Sequence, residues 1–218
     1  MASKLIPIDL LILDFDGTLT DSIPPAVTAI QKMVKMLGRP YRSKEQINKY
    51  VGYGEIPLIE GSISSKDPEL LQKAMRLYED IYMKEGVKKV VLYPQVREFL
   101  EYFKSKPKMI VSNKKDIFIK MILKNLRLTK YFIEVHGGDT LPCLKPDPYA
   151  INMMIKKYHV SRKRILFIGD MTVDIDTGKN AKVRTCAVTY GFDSVDKLKK
   201  RKPDIMIDDL MELKDLIE

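Results

Sequence analysis

The sequence predicts an α/β fold: a doubly wound, mainly parallel sheet with a helical domain inserted into it. Several short apolar runs lack the alternation of a half-exposed strand, which is typical of strands buried on both faces of a parallel sheet. The runs are Ile8–Leu13, Lys108–Ser112, Ile165–Ile168, Thr185–Val188 and Ile205–Ile207. Amphipathic segments alternate with them: Val96–Phe103, Asp116–Leu126, Pro148–Tyr158 and Val195–Lys200. This alternation of strands and helices favours a doubly wound sheet.

One region interrupts the alternation. Residues 22–90 show only helical patterns: Ala26–Leu37 places its apolar side chains on one face and stops at Gly38, and another helix is predicted to begin at Asp67-Pro68. We therefore expect residues 1–21 and 91–218 to form the α/β core. Residues 22–90 are expected to form a helical cap domain near the carboxyl ends of the strands.

The composition is that of a globular protein, with 45% hydrophobic and 31% charged residues and a formal net charge of +9. The densest basic run, Lys197–Lys202, has no nucleic-acid-binding motif beside it, so we interpret it as a solvated surface and expect no nucleic acid. No apolar run predicts a membrane span or a signal peptide. Cys143 and Cys186 match no metal spacing, which favours free thiols in the cytoplasm over a disulfide. Nothing in the sequence indicates an oligomeric state.

Four polar segments are expected to converge, because the carboxyl ends of parallel strands meet at one edge of a sheet. They are Asp14-Phe15-Asp16-Gly17-Thr18-Leu19, Ser112-Asn113-Lys114, Lys145-Pro146-Asp147-Pro148 and Gly169-Asp170-Met171-Thr172-Val173-Asp174. Asp14 and Asp16 leave an extended strand two positions apart, so their side chains point the same way. Such a pair of carboxylates can act as nucleophile and general acid or base.

The other three segments carry complementary chemistry. The hydroxyl, amide and ammonium groups of Ser112-Asn113-Lys114 suit phosphate oxygens. Lys145, held ahead of a helix by two prolines, can neutralise a carboxylate and a phosphoryl group. Asp170 and Asp174 are typical ligands of a hard cation such as Mg²⁺. Taken singly, each segment also has a structural interpretation as a turn or a helix cap, which is weakest for the paired acids Asp14 and Asp16.

Together, these segments resemble the signature of the haloacid dehalogenase superfamily, DxDGT followed by S/T, K and GDxxxD. The helical insert corresponds to the type 1 cap of that superfamily. The resemblance covers nearly the whole chain and extends to its phosphoglycolate phosphatase-like branch, through DFDGTLTDS, Val51-Gly52-Tyr53-Gly54, Leu92-Tyr93-Pro94, SNK and KPDP. Ser112 stands where threonine is common, and Met171 where a small polar residue is usual. The resemblance implies a Mg²⁺-dependent phosphatase that acts on a small phosphorylated metabolite.

The resemblance also implies a role for each matching residue. Asp14 is expected to attack phosphorus and form an aspartyl-phosphate, and Asp16 to protonate the leaving oxygen and then to activate water. Mg²⁺ is expected at Asp14, Asp170 and the backbone carbonyl of Asp16, with Asp174 completing the metal site by orienting metal-bound water and Lys145 balancing the charge. Contacts with the phosphate or substrate are expected from Thr18, which would position Asp16, from Ser112 and Asn113, and from Tyr53 and Glu55 in the cap.

Two alternatives remain open at this point. A phosphoglucomutase-like phosphotransferase would share the core and the cap. A non-catalytic binding protein would keep the fold but would have no need of Asp14, Asp16, Lys145, Asp170 and Asp174 together. Among substrates, phosphoglycolate is favoured, while pyrophosphate, nucleoside monophosphates and small sugar phosphates remain compatible with the pattern.

Overall fold

The centre of the structure, a computed structural model that describes residues 5–218 of the 218-residue chain, is a six-stranded sheet. The strands are β1 Leu10–Leu13, β2 Thr20–Asp21, β3 Val91–Leu92, β4 Lys108–Val111, β5 Glu134–His136, β6 Ile165–Gly169, β7 Arg184–Val188 and β8 Ile205–Ile207. The sheet has the order β5-β4-β1-β6-β7-β8, and every neighbouring pair is parallel. The predicted fold class is confirmed, because parallel neighbours require crossovers and the crossovers here are helical.

Helices cover both faces of this sheet, and four others lie in the insert. In chain order the helices are α1 Ile23–Met36, α2 Lys44–Asn48, α3 Glu55–Ile63, α4 Pro68–Ile81, α5 Val96–Tyr102, α6 Asp116–Asn125, α7 Tyr149–Tyr158, α8 Thr172–Asn180 and α9 Val195–Lys200. Side chains of the central strand β1 alternate between two apolar clusters. Leu11 and Leu13 pack on the side of α5 and α6, and Leu10 and Ile12 pack on the side of α7. Among the described residues, none of the helices has both the length and the apolar character needed to cross a bilayer.

The edge strand β5 has no counterpart among the predicted strands. Its residues, Glu134-Val135-His136, are only half-buried, and β5 pairs with β4 alone. An edge strand has one hydrogen-bonded neighbour and tolerates polar side chains, so it need not appear as an apolar run. The first strand is also shorter than predicted, because Ile8 and Asp9 precede its start at Leu10.

The two ends of the helical insert lie side by side. Strands β2 and β3 form a separate antiparallel pair, with Thr20 opposite Leu92 and Asp21 opposite Val91. Between them lie α1 to α4 and a π-helical turn at Tyr82–Gly86, and α1, α3 and α4 pack against one another. Asp67 accepts a hydrogen bond from the backbone N–H of Leu70 at 2.7 Å, so α4 begins with the predicted cap. The division into a core and a cap domain stays a prediction.

Replacement of Ile12 tests the packing of the central strand. The Ile12 side chain is fully buried, so Ile12→Ala should lower the free energy of unfolding by about 2–5 kcal/mol through lost burial and a residual cavity. As a matched control, Ile133→Ala changes a half-exposed residue and should cost about 0.5 kcal/mol or less. Urea unfolding followed by circular dichroism measures both values. Equal losses in the two variants would contradict the assignment of Ile12 to the core.

Candidate active site

Three polar residues emerge from adjacent strands at one edge of the sheet. Asp14 follows β1, Ser112 follows β4 and Asp170 follows β6. The backbone continues the parallel ladder at these positions, since the Asp14 N–H donates to the Ile168 carbonyl at 2.9 Å and the Ser112 N–H donates to the His136 carbonyl at 3.0 Å. The sheet therefore holds the backbone of these residues in register and brings their side chains together.

Three buried carboxylates form a cluster at this edge. One oxygen of each of Asp14, Asp170 and Asp174 lies within 4.8 Å of the others, and all three residues are buried. The ammonium of Lys145, also buried, lies 2.7 Å from Oδ1 of Asp14 and 2.6 Å from Oδ1 of Asp174. With its carboxylates ionised, the cluster has three negative charges beside one positive charge.

The burial and the charges of this cluster change the pKa of Asp14 and of Asp170. Burial raises the pKa of Asp14 against the opposing effect of Lys145, and burial together with the carboxylates of Asp174 and Asp14 raises the pKa of Asp170. The contact of Lys145 with Asp14 lacks hydrogen-bond geometry, so within residues 5–218 Oδ1 of Asp14 has no hydrogen-bond partner. A buried set of carboxylate oxygens with excess negative charge fits a hard cation such as Mg²⁺.

Short hydrogen bonds fix the orientation of two of these acids. Asp170 accepts from the Thr18 hydroxyl at 2.7 Å through Oδ1 and from the Phe192 N–H at 2.8 Å through Oδ2. Oδ2 of Asp174 accepts from the Met171 N–H at 2.9 Å. The expectation that Thr18 positions Asp16 is not met: the fully buried Thr18 hydroxyl donates to Asp170 instead. The tight turn after Asp16 directs the Thr18 side chain towards β6.

Asp16 lies beside the acidic cluster with partners of its own. The Ser22 hydroxyl donates to its Oδ1, and the ammonium of Lys114 lies 3.2 Å from each of its carboxylate oxygens. The sequence indicates that Ser112-Asn113-Lys114 would suit phosphate oxygens, but it does not indicate that Lys114 pairs with Asp16. The two residues are 98 positions apart, and no local pattern links them.

Asn113 connects the core to the helical insert. Its side-chain amide donates to the Gly52 carbonyl at 2.9 Å and to the Lys145 carbonyl at 3.2 Å, and its Oδ1 accepts from the Lys145 N–H at 2.8 Å. These bonds occupy the side chain, which therefore positions the Lys145 segment. Met171 makes a second connection: a Cβ on Gly52 would lie 2.3 Å from the Met171 Sδ, so the insert and the core are in close contact there.

A cavity lies between the insert and the edge of the sheet. Its floor is polar, with Asp14, Asp16, Ser112, Lys114 and Lys145. Its walls are largely apolar and come from both the insert and the core: Ile23, Ala26, Leu58, Tyr78, Phe118 and Met171. A small cavity with a charged floor and apolar walls suits a phosphate ester with a small leaving group.

The two residues expected from the cap differ in position. Glu55, the first residue of α3, lines the cavity, and Lys115 lies 3.3 Å from its carboxylate. Burial raises the pKa of Glu55 to about 7, against the opposing charge of Lys115. Tyr53 is half-exposed and does not line the cavity, because the loop directs its side chain outward. A role for either residue in substrate choice stays a prediction.

Comparison with known proteins decides the family. A model of the haloacid dehalogenase-like hydrolases matches residues 11–188, which include all of the polar segments described above. The chain belongs to the haloacid dehalogenase-like hydrolase family. This agrees with the geometry, because the matched region contains the three clustered carboxylates and Lys145.

Relatives within this family match over almost the full length of the chain. A phosphoglycolate phosphatase of Vibrio parahaemolyticus is 35% identical over 219 residues, which cover 96% of each chain. A phosphoglycolate phosphatase of Photobacterium profundum is 34% identical and covers 94% of this chain and 93% of its own. The crystal structure of a predicted phosphoglycolate phosphatase from Haemophilus somnus 129pt has a TM-score of 0.89 at 26% identity, covering 95% and 96%. The prediction of an enzyme of the phosphatase class is confirmed.

Gly17 tests the packing around Asp170. Gly17 and Gly38 form a matched pair, because both have a positive φ, of 85° and 63°. Their surroundings differ: a Cβ on Gly17 would lie 2.2 Å from Oδ2 of Asp170, whereas a Cβ on Gly38 would have no atom within 4 Å. Both alanine variants should lose about 1 kcal/mol of unfolding free energy through backbone strain, and Gly17→Ala should lose more because its Cβ collides with Asp170.

Only Gly17→Ala should also lose turnover of p-nitrophenyl phosphate, by about 100-fold, because displacing a site residue by about 1 Å has effects of this size. Urea unfolding and steady-state kinetics measure the two properties separately. Similar turnover in both variants would show that the space at Gly17 is not needed for the site.

Proposed function

We propose that this protein is a Mg²⁺-dependent phosphatase that hydrolyses a small phosphorylated metabolite through an aspartyl-phosphate, with phosphoglycolate as the favoured substrate. One observation carries the proposal: the buried Asp14 carboxylate lines the floor of a cavity, and the Lys145 ammonium lies 2.7 Å from its Oδ1. A nucleophilic carboxylate needs a place beside the substrate and a cation that offsets its charge.

Asp14 and Asp16 divide the reaction between them. A carboxylate oxygen of Asp14 attacks phosphorus, the ester P–O bond breaks, and the leaving oxygen takes a proton from Asp16. Water then attacks the phosphorus of the aspartyl-phosphate, and Asp16 takes a proton from this water. Inorganic phosphate leaves and the Asp14 carboxylate is restored. The support for these roles is that both residues line the cavity floor, two positions apart at the end of β1.

The remaining groups of the floor hold the phosphoryl group and position the nucleophile. The Lys145 ammonium lies against Asp14 and Asp174, where it offsets part of their charge and can reach a phosphoryl oxygen. Ser112 lines the cavity, and its hydroxyl is proposed to bind a phosphoryl oxygen. Asn113 fixes the loop of Lys145 through its two backbone contacts there. The backbone N–H groups near Asn113 are proposed as further phosphate donors.

Mg²⁺ would be held by Asp14, Asp170 and the backbone carbonyl of Asp16, and Asp174 would orient metal-bound water beside them. When bound, the cation supplies the positive charge that allows a carboxylate to approach a phosphate dianion. The support is the charge imbalance of the cluster, in which a single ammonium lies among three buried carboxylates. The hydrogen bonds from Thr18 and Phe192 orient Asp170 for this purpose.

The substrate is proposed from the relatives and from the cavity. The curated relatives reported above are phosphoglycolate phosphatases, and a cavity closed by the insert favours a small leaving group. The relatives are hydrolases rather than phosphotransferases, which favours hydrolysis over the phosphotransferase alternative. A cytoplasmic location, as expected for an enzyme of small metabolites, is part of the same proposal.

Replacement of Asp14 tests the nucleophile. Asp14→Asn should fold and lose at least about 100-fold in kcat, because the amide is not nucleophilic towards phosphorus. Asp9→Asn is the matched control: Asp9 stands at the opposite end of β1, exposed and paired with Arg164, and its variant should keep wild-type kcat. Phosphate release from phosphoglycolate is measured. An Asp14→Asn variant that retains more than about a tenth of kcat, a loss below about 1.4 kcal/mol, would refute the nucleophile assignment.

Chelation tests the cation. Protein treated with EDTA should lose turnover, and Mg²⁺ should restore it and raise the melting temperature, because a ligand that binds only the native state stabilises that state. Ca²⁺ should not restore turnover, since it takes more oxygen ligands in looser geometry. Asp170→Asn should lose both effects of Mg²⁺, and Asp9→Asn should keep both. Full turnover after exhaustive chelation, with no change of melting temperature on adding Mg²⁺, would overturn the metal assignment.

A further inference from the structure

The ammonium of Lys114 is a buried charge that the proposed reaction does not use. Its side chain is only 10% exposed, and it lines the floor of the cavity. Its nitrogen lies 3.2 Å from both carboxylate oxygens of Asp16 and 4.7 Å from the centre of the Tyr82 ring. Lys114 therefore lies next to the group proposed to protonate the leaving oxygen.

Packing alone does not require a lysine at this position. The ammonium lies over an aromatic cluster in which Tyr78 stacks on Tyr82 and the Phe118 ring meets both rings at their edges. A methionine would fill the same space without the cost of removing a charge from water, which amounts to several kcal/mol for a buried ion. Burial lowers the pKa of Lys114, but Asp16, Tyr82 and Tyr78 together raise it above its ordinary value, so the group remains an ammonium.

Lys114 also differs from the other lysines that line the cavity. Lys145 pairs with two carboxylates, those of Asp14 and Asp174. Lys115 likewise pairs with two, those of Glu55 and Glu79. Among residues 5–218, Lys114 has Asp16 as its single carboxylate partner. Its charge is therefore the least balanced of the three and the most available to an anionic group of the substrate.

The geometry sets the position of that anionic group. If Asp16 protonates the leaving oxygen, this oxygen lies one hydrogen bond from the Asp16 carboxylate, and Lys114 lies one hydrogen bond from the same carboxylate. The ammonium is then about 6 Å or less from the leaving oxygen, because the 3.2 Å contact of Lys114 with Asp16 and one hydrogen bond of about 2.9 Å separate them. A carboxylate attached to the ester carbon is within reach of an ammonium at this distance.

We propose that Lys114 binds a carboxylate on the leaving group, adjacent to the ester carbon, and thereby makes the enzyme selective for phosphate esters of small 2-hydroxy acids. The inference rests on the proposed function, since it takes the role of Asp16 from it. It adds a residue that recognises the leaving group, which the phosphate-binding groups of the floor do not distinguish.

Matched substrates and matched variants test this role. Phosphoglycolate and 2-hydroxyethyl phosphate are similar in size, but only the first has a carboxylate, and p-nitrophenyl phosphate measures turnover without either group. The variants are Lys114→Met, Lys114→Arg and the control Lys120→Met, which removes an exposed ammonium from α6. We expect the kcat/KM ratio of phosphoglycolate to 2-hydroxyethyl phosphate to fall at least about tenfold in Lys114→Met, equivalent to about 1.4 kcal/mol. The ratio should be largely retained in Lys114→Arg and unchanged in Lys120→Met.

A binding measurement separates recognition from turnover. In the Asp14→Asn background, calorimetry should show that Lys114→Met weakens the binding of phosphoglycolate at least about tenfold more than that of 2-hydroxyethyl phosphate. If Lys114 only holds the insert against the core, Lys114→Met should weaken the binding of both ligands, or lower the turnover of all three substrates, by a common factor. That result overturns the proposal. A wild-type ratio of kcat/KM near one also overturns it, whether or not the variants fold.

The outcomes separate this inference from the proposed function. If the wild-type protein hydrolyses none of the three substrates, the proposed function fails. If it hydrolyses them and the ratio in Lys114→Met stays within about twofold of the wild-type ratio, the proposed function stands and the role of Lys114 is refuted.

Discussion

The burial of three carboxylates around a single ammonium is the constraint on which the rest of this structure depends. Ionised acids removed from water are costly unless they are paired and hydrogen-bonded. Here Lys145 pairs with only two of the three, Asp14 and Asp174, and Asp170 is held by a hydroxyl and a backbone N–H. The negative charge of the cluster exceeds its positive charge, and this excess supports the proposed binding of a cation beside a phosphoryl group.

The backbone around the cluster is arranged to leave room for it. Gly17, Gly169 and Gly191 each lie so close to one of these acids that a Cβ would approach its atoms to within 2.4 Å. The carboxylates of Asp170 and Asp174 therefore occupy volume that other side chains would fill elsewhere in the core. Backbone N–H groups of Met171 and Phe192 then point into this space. Small residues and backbone donors hold the acids without adding further charge.

The insert supplies the other half of the environment. It contacts the core through the Gly52 loop, which receives a hydrogen bond from Asn113 and packs against Met171. A second connection is ionic: Lys115, just before α6, reaches Glu55 on α3 and Glu79 on α4. Asp14, Ser112 and Lys145 at the floor of the cavity are buried, and electrostatic interactions are stronger in such a low-dielectric environment than in water. Under the proposed function, selectivity depends on groups that line this cavity beside Asp16, such as Lys114.

The sequence by itself determined the doubly wound sheet, the helical insert and the order of the four polar segments. These are local properties, because buried parallel strands appear as apolar runs and the residues that follow them are read directly. Only the tertiary structure decided which hydrogen-bond or ion-pair partner each polar group has. Thr18 bonds to Asp170 rather than serving Asp16, Lys114 pairs with Asp16, and the edge strand β5 forms without an apolar run. Residues as many as 152 positions apart form such hydrogen bonds. Their pairing depends on which donors and acceptors lie close together in three dimensions, and the local sequence does not contain that information.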